Sequence, residues 1–374
     1  MIGNNLKFDF DDILIEPQKT TKITSRYKDI ELPSRLPLFT APMDTVVDLT
    51  NYKKFLNKGI NVCFPRTISF MGNLPTTLNT HIVSHIRGEN SFPSIGLNDY
   101  QKLCHQNEVV LKSFSNILID VANGHMTEEI IHACEHIKSY NPNIKIMIGN
   151  IANPETYEYY ARTGLVDYIR VGIGNGGGCL TTKQSGIGYP MASLIYEMRL
   201  IKEEFIKEVE YNRKNKNSLL KLKQYDTIPA IVADGGMKDY ADIVKSLALG
   251  ADYVMLGSIF NKALESCAPN YYRGKQIDSK KAEKLFFKGK KIEKYFRGMS
   301  TKGAQKAMGK SHIKTSEGVE RFRPVEYTLE KWVENFEHYL RNAMSYTNAD
   351  KLEDFIGKVP ICQITTRAYD RFNK

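Results

Sequence analysis

Short apolar runs recur along the chain and alternate with segments of helical spacing. Eight runs have the length and composition of buried strands, at residues 38–40, 60–64, 94–97, 117–121, 145–149, 168–171, 228–233 and 253–256. Between two of them, Ile131, Cys134 and Ile137 recur at intervals of three, as on one face of a helix. Strands that alternate with helices form parallel sheets, and eight such units favour closure. The pattern therefore predicts an α/β fold, a (β/α)₈ TIM barrel, with residues 1–374 as a single catalytic domain.

Two polar stretches look like insertions on this barrel. Residues 202–223 contain seven Lys or Arg and four Glu, which predicts a helix prolonged into solvent. Residues 273–294 contain nine Lys or Arg and three acidic residues, and residues 286–291 resemble the turn of a basic hairpin. For both stretches the alternative to a binding role is a solvated face. Further on, apolar residues with helical spacing between Leu329 and Leu340 predict a helix that packs on the core.

Composition narrows the class of protein. No run approaches the ~20 apolar residues that a membrane-spanning helix needs, and the N-terminus lacks an apolar block, so we expect a soluble cytoplasmic protein without membrane contact. Six cysteines lie far apart with no C-x-x-C pair, which indicates free thiols. A net charge of +10 is compatible with nucleic acid or with an anionic small substrate. Charge alone does not decide between these partners.

The most informative segment is a glycine-rich loop that ends in a cysteine. Residues 172–182 read Gly-Ile-Gly-Asn-Gly-Gly-Gly-Cys-Leu-Thr-Thr and follow the predicted strand 168–171. Glycines let a backbone approach a ligand closely, and parallel barrels carry their chemistry at the carboxyl ends of strands. The pattern predicts Cys179 as a nucleophile. The alternative is a flexible loop with an inert buried cysteine.

Further motifs follow the other predicted strand ends. They are Thr-Ala-Pro-Met-Asp-Thr-Val at 40–46, Asp-Val-Ala-Asn-Gly-His at 120–125, Ala-Asp-Gly-Gly at 233–236 with Leu-Gly-Ser at 256–258, Arg-Gly-Met-Ser at 297–300, and Gly-Ile-Gly-Tyr-Pro at 186–190. By the order and spacing of these motifs and of the cysteine loop, over roughly residues 6–360, the chain resembles the inosine-monophosphate dehydrogenase and guanosine-monophosphate reductase family. The resemblance implies a TIM barrel whose cysteine adds to C2 of a purine nucleotide beside a nicotinamide cofactor. Such an adduct divides a hard substitution into easier steps.

The resemblance also implies roles for individual residues. Cys179 is expected as the nucleophile and Thr181 as a group that moves protons. Substrate contacts are expected from Asp234 at the ribose, from Gly236, Gly257 and Ser258 at the 5′-phosphate, from Gly298, Met299 and Glu317 at the base edge, and from Gly235 and Met43. Cofactor contacts are expected from Arg66, Asp120 and Asn123, and the carbonyls of Gly174, Gly176 and Cys179 are expected to hold a monovalent cation such as K⁺. The alternatives are a turn-capping role for Asp234 and a helix-capping role for Thr181.

Three features favour the reductase branch. Residues 302–316 contain neither the Arg nor the Tyr that dehydrogenases carry in a mobile flap. About thirty residues separate Phe64 from Ser94, which leaves no room for the regulatory module that many dehydrogenases insert there. The motif Asp-Val-Ala-Asn-Gly at 120–124 looks like the reductase form of this segment. Other positions depart from the reductase pattern. Lys302 stands where reductases carry a glutamate, Arg66 replaces a lysine, and Gly177 replaces a phosphate-binding serine. We expect residues 300–325 to form a mobile flap.

The expected activity is an NADPH-dependent reduction of GMP to IMP and ammonia. One alternative is a compact NAD-dependent IMP dehydrogenase or an enzyme on a modified purine nucleotide. Another is an inactive relative that binds nucleotides, or RNA through residues 273–294, although nucleic acid is the less favoured partner. The resemblance implies a homotetramer.

Overall fold

The computed structural model describes residues 6–68, 80–100, 108–214, 228–309, 312–313 and 315–372. After a short strand β1 (Ile13–Ile15), eight parallel strands close into a barrel, because the last of them pairs back with the first. They are β2 Leu38–Thr40, β3 Asn61–Phe64, β4 Ser91–Ile95, β5 Asn116–Asp120, β6 Lys145–Ile151, β7 Tyr168–Val171, β8 Ala230–Asp234 and β9 Tyr253–Leu256. Every strand lies at or next to a predicted one. The prediction of a (β/α)₈ barrel is confirmed.

The bounds of β4 differ most from the sequence prediction. The strand begins at Ser91, three residues before the predicted start, and Leu97 lies beyond its end. Ser91 pairs with Val62 and Pro93 pairs with Phe64 of β3. A proline cannot donate to a ladder, so the residues before it lack the usual signal of a strand. Pairing with β3, rather than local composition, sets where this strand starts.

Side chains fill the interior of the barrel, and helices surround it. Six of the buried interior residues are Phe39, Phe92, Leu118, Met147, Val232 and Met255. The helices are Tyr52–Leu56, Thr80–Ile86, Glu108–Ser113, Thr127–Tyr140, Pro154–Ala161, Thr181–Ser185, Met191–Lys214, Tyr240–Leu249, Ser258–Asn261, Ser279–Phe287, Lys302–Ala307, Leu329–Tyr346, Leu352–Phe355 and Thr366–Phe372, with a 3₁₀ turn at Phe10–Asp12. In Thr127–Tyr140 the buried side chains recur with helical spacing, as predicted. The filled interior closes the barrel at its centre and leaves its two ends for loops.

The first insertion forms a helix, as predicted, as far as the structure describes it. Helix Met191–Lys214 covers its first part, and residues 215–227 lie outside the described residues. One face of this helix is not in solvent: Phe205 and Val209 are buried, and the Arg162 guanidinium lies over the Phe205 ring. The extension is therefore anchored to the barrel along an apolar stripe.

The second insertion has its hairpin at a different place from the predicted one. Strands β10 (Asn270–Tyr272) and β11 (Lys275–Ile277) pair antiparallel around a two-residue turn. The expected turn at 286–291 is wrong, because helix Ser279–Phe287 ends there and Gly289 caps it with a positive φ of 70°. Helix ends and hairpin turns both select glycine for that backbone conformation, so the local sequence does not separate them.

Two further strands complete a small sheet beside the mouth of the barrel. Strands β12 (Glu293–Arg297) and β13 (Glu320–Pro324) pair antiparallel, and the sheet has the order β11-β10-β12-β13. The last strand, β14 (Ile361–Gln363), pairs with β1. Helix Leu329–Tyr346 buries Trp332 and Phe336, which confirms its predicted packing role. Within the described ranges, no helix combines the length and apolarity needed to cross a bilayer.

Candidate active site

A cavity of about 340 Å³ opens at the carboxyl ends of the barrel strands, against the β12–β13 strand pair. Because all eight strands are parallel, the loops that follow them meet at this one end. The predicted residues that line the cavity are Met43, Arg66, Asp120, Gly174, Gly176, Cys179, Thr181, Asp234, Gly235, Gly236, Gly257, Ser258, Gly298, Met299 and Glu317. The structure thus brings together motifs that are up to 274 residues apart along the chain.

The Cys179 thiol is half-buried at the wall of this cavity. Its Sγ donates a hydrogen bond of 3.1 Å to Oγ1 of Thr181, and its backbone N–H donates to the Gly176 carbonyl at 2.9 Å. The neighbouring Leu180 N–H donates to the carbonyl of Glu317 at 2.8 Å. The thiol is therefore held beside a hydroxyl that can exchange a proton with it.

Two glycines let the cysteine loop lie directly against the small sheet. A Cβ atom at Gly178 would lie 2.9 Å from the Phe296 ring, and one at Gly298 would lie 2.7 Å from the Gly178 carbonyl oxygen. The Val319 N–H donates to that same carbonyl at 3.0 Å. The absence of side chains here permits backbone contact between the loop and the sheet.

Arg170 joins two of the carboxylates that line the cavity. It lies on β7, is 6% exposed, and its guanidinium donates to Asp120 Oδ1 at 2.6 Å and to Asp234 Oδ2 at 2.8 Å. Burial by itself lowers the pKa of Arg170, but the two carboxylates raise it by more. The guanidinium stays charged and fixes both acids in place. The sequence analysis missed this residue, although a charge within the apolar run 168–171 was a usable signal.

Asn150 is a second residue that the sequence analysis missed. Its Nδ2 donates to the Gly172 carbonyl and to Asp234 Oδ2, each at 2.9 Å. Asp234 Oδ2 thus accepts from two donors, and the hydrogen bonds that described residues make to this carboxylate all go to Oδ2. The Oδ1 atom keeps its lone pairs for a ligand hydroxyl.

The residues expected at the cofactor differ in their positions. Arg66 lines the cavity and donates from Nη2 to Asp99 Oδ2 at 3.2 Å, while its buried Nε has no hydrogen-bond partner among the residues that the structure describes. Asn123 does not line the cavity, and its Oδ1 accepts from the backbone N–H of His125. Asn123 faces solvent, so its expected contact needs a ligand that reaches beyond the cavity.

The predicted flap, 300–325, contains regular structure. Thr301 caps helix Lys302–Ala307 by accepting from the Ala304 N–H, and the later part of the segment forms β13. Lys302 is exposed and is not among the cavity-lining residues, whereas Glu317 lines the cavity. Mobility of this segment stays a prediction.

A metal site of ionised side chains is absent from the described part of the chain, where no three His, Cys, Asp or Glu residues are grouped to hold an ion. The expected cation site is of another kind, since carbonyl oxygens would supply its ligands. One of these, the Gly176 carbonyl, already accepts from the Cys179 N–H. A carbonyl oxygen has two lone pairs, so this bond leaves one for an ion.

Comparison with known proteins gives one family and a consistent set of relatives. The family model described as the IMP dehydrogenase / GMP reductase domain matches residues 94–371. The chain is similar to GMP reductase 2 of Homo sapiens, with 26% identity over 394 residues, 100% of this chain and 99% of the relative. It is 26% identical to GMP reductase of Caenorhabditis elegans, covering 99% and 96%, and 27% identical to GMP reductase 1 of Mus musculus, covering 97% of each.

Proposed function

Because the chain belongs to the IMP dehydrogenase / GMP reductase family of oxidoreductases, we propose that it reduces GMP to IMP and ammonia with NADPH. The observation that carries this proposal is the Cys179 thiol, hydrogen-bonded to Thr181 inside a cavity that also contains Asp234. The relatives that are named GMP reductases and match along nearly the whole chain favour the reductase direction over the dehydrogenase direction.

The proposed chemistry takes place at C2 of the guanine ring. The Cys179 sulfur forms a bond to C2, the C2–N bond to the exocyclic amino group breaks, and ammonia leaves with a proton that Thr181 passes on. When bound, the nicotinamide dinucleotide supplies the hydride that C2 receives. The C2–S bond then breaks and returns the thiolate, so the product is IMP. Thr181 suits the proton step because its hydroxyl both donates and accepts.

Binding of the nucleotide follows from the positions of the lining residues. We assign the ribose hydroxyls to Oδ1 of Asp234, since its Oδ2 already accepts from Asn150 and Arg170. We assign the 5′-phosphate to the backbone of Gly235, Gly236, Gly257 and Ser258, and the base to Gly298, Met299, Glu317 and Met43. Backbone N–H groups in such barrel loops commonly bind phosphate.

We assign the nicotinamide cofactor to the same cavity. The Nε of Arg66 is a buried donor without a partner among the described residues, so an acceptor from a ligand would satisfy it. Arg66 and Asp120 would hold the cofactor, and Asn123 would contact its outer part. Carbonyls of Gly174, Gly176 and Cys179 would hold a monovalent cation such as K⁺. The family resemblance further supports a cytoplasmic homotetramer.

The test is turnover of GMP by the purified protein. We expect NADPH absorbance to fall and IMP and ammonia to form in equal amounts, faster with K⁺ than with choline as the cation. Cys179→Ala should lose turnover but retain GMP binding, whereas Cys362→Ala, a half-buried thiol on β14, should keep both. Formation of NADH from IMP and NAD⁺ without GMP reduction would instead identify a dehydrogenase. Turnover by Cys179→Ala at the wild-type rate would refute covalent catalysis.

A further inference from the structure

Two arginines of β13 lie side by side and contact residues that line the cavity, although neither arginine is itself a lining residue. Arg321 and Arg323 are two residues apart on a strand, so their side chains leave the same face. Both guanidinium carbons lie over the ring of Phe296, at 5.6 and 5.2 Å from its centroid. Phe296 is buried and lines the cavity. One aromatic ring that lines the cavity therefore holds two positive charges.

Each guanidinium reaches a backbone carbonyl of the cavity wall. Arg321 donates from Nη2 to the Gly177 carbonyl at 3.1 Å, and Arg323 donates from Nη1 to the Ser258 carbonyl at 3.2 Å. Gly177 belongs to the cysteine loop, whereas Ser258 begins the segment after β9. These bonds use one donor of each arginine, and a guanidinium has five.

Acidic residues near these arginines are engaged elsewhere. Glu320 accepts from the Tyr295 hydroxyl, and Glu326 pairs with Lys262 at 2.8 Å. Within the described residues neither arginine forms an ion pair with a carboxylate. Burial and the positive charge of Arg321 lower the pKa of Arg323, and this outweighs the raising effect of the Glu326 carboxylate, which is paired with Lys262. Two adjacent cations without a counter-ion repel each other, and a bound anion removes this cost.

The space between these groups is open and polar. A Cβ atom built at Gly177 would lie 3.8 Å from Arg321 Nη2 and 3.9 Å from Ser258 Oγ, with no closer neighbour. A point that is about 4 Å from a guanidinium nitrogen and from a hydroxyl has the dimensions of a small anion site. Since Gly177 has no side chain, this space is left to a ligand.

We propose that Arg321 and Arg323 bind the 5′-phosphate of the nucleotide and make the enzyme select nucleotides over nucleosides, an inference that rests on the proposed function. The phosphate dianion lies in the space beside Gly177 and Ser258, and the two guanidiniums neutralise its charge. Arginine suits this role because its fork of N–H donors matches phosphate oxygens. Strand β13 thereby takes part in substrate recognition, in addition to the barrel loops.

The test compares GMP with guanosine, which lacks only the phosphate. Binding of each is measured by calorimetry for the wild type, Arg321→Gln, Arg323→Gln and the double variant. Loss of a charge-assisted hydrogen bond should weaken GMP binding about tenfold in each single variant and more in the double variant. Guanosine binding should not change. The matched control is Arg273→Gln, an arginine that lies 5.3 Å over Tyr272 in the β10–β11 turn, away from the cavity lining.

The outcomes separate this inference from the proposed function. If the arginine variants lose GMP and guanosine binding equally, the arginines only position the loop. If the variants bind GMP as the wild type does, the arginines do not recognise the nucleotide. Either result overturns the inference. If the wild type binds no GMP, the proposed function fails, and inorganic phosphate becomes the probe. Phosphate binding that the double variant loses and Arg273→Gln keeps would then still support an anion site at these arginines. Absence of phosphate binding would overturn it.

Discussion

Replacing Arg170 by methionine should destabilise the protein far more than replacing an exposed arginine. The Arg170 side chain is 7% exposed and forms two charge-assisted hydrogen bonds, to Asp120 and Asp234, which are 20% and 15% exposed. Methionine fills similar space but leaves two mostly buried carboxylates without their counter-charge. Removing one partner of a buried ion pair typically costs about 3–5 kcal/mol.

The matched control is Arg162→Met. Arg162 also bridges two carboxylates, Glu158 at 2.8 Å and Glu208 at 3.0 Å, but all three side chains are about 40% exposed. Water and salt screen such exposed pairs, and their contribution is typically 0–1 kcal/mol, about the loss expected here. Both variants thus remove an arginine that bridges two carboxylates, one at a buried and one at an exposed site, and Arg162→Met also removes the guanidinium from the Phe205 ring.

Urea denaturation monitored by tryptophan fluorescence measures both losses. The chain contains one tryptophan, Trp332, which is buried in helix Leu329–Tyr346 and reports on the barrel without the need for added probes. Arg170→Lys retains the charge and should recover part of the stability. If Arg170→Met and Arg162→Met lose the same free energy of unfolding, the assignment of Arg170 as the anchor of the two carboxylates is wrong.

Two further changes test the loop contacts and a buried lysine. Gly178→Ala brings a Cβ to 2.9 Å from the Phe296 ring and should lower kcat about tenfold or more. The control Gly88→Ala, whose Cβ would have its nearest neighbour at 3.7 Å, should leave kcat unchanged. Equal kcat values for the two variants would contradict the argument that the loop needs a close approach at Gly178. Burial lowers the pKa of Lys294 from 10.5 to about 8, so the unfolded chain binds more protons between these values and stability rises with pH across this window. Relative to Lys294→Met the rise should reach roughly 3 kcal/mol, and parallel pH profiles of urea denaturation would show that the lysine is not responsible.

Structural features were predicted correctly from the sequence where neighbouring residues alone specify them. The prediction of strand β7 was correct because an apolar run followed by glycines marks the end of a strand, and the half-buried Cys179 lies in the loop that follows it. The turn expected at 286–291 was wrong because Gly289 satisfies a helix cap as well as a hairpin turn. Asp278, eleven residues before this glycine, caps the N-terminus of helix Ser279–Phe287 by accepting from the Lys281 N–H, and it was a usable signal for a helix.

The sequence by itself determined the number and order of the barrel strands and the set of loops that meet at one end, since strand and helix periods are written in consecutive residues. Only the tertiary structure decided which side chains become partners. Arg170 meets carboxylates 50 and 64 residues away, and Arg321 meets a carbonyl 144 residues away. Such contacts depend on barrel closure and on the packing of the small sheet against it, and no local pattern encodes the distance between two atoms on separate elements.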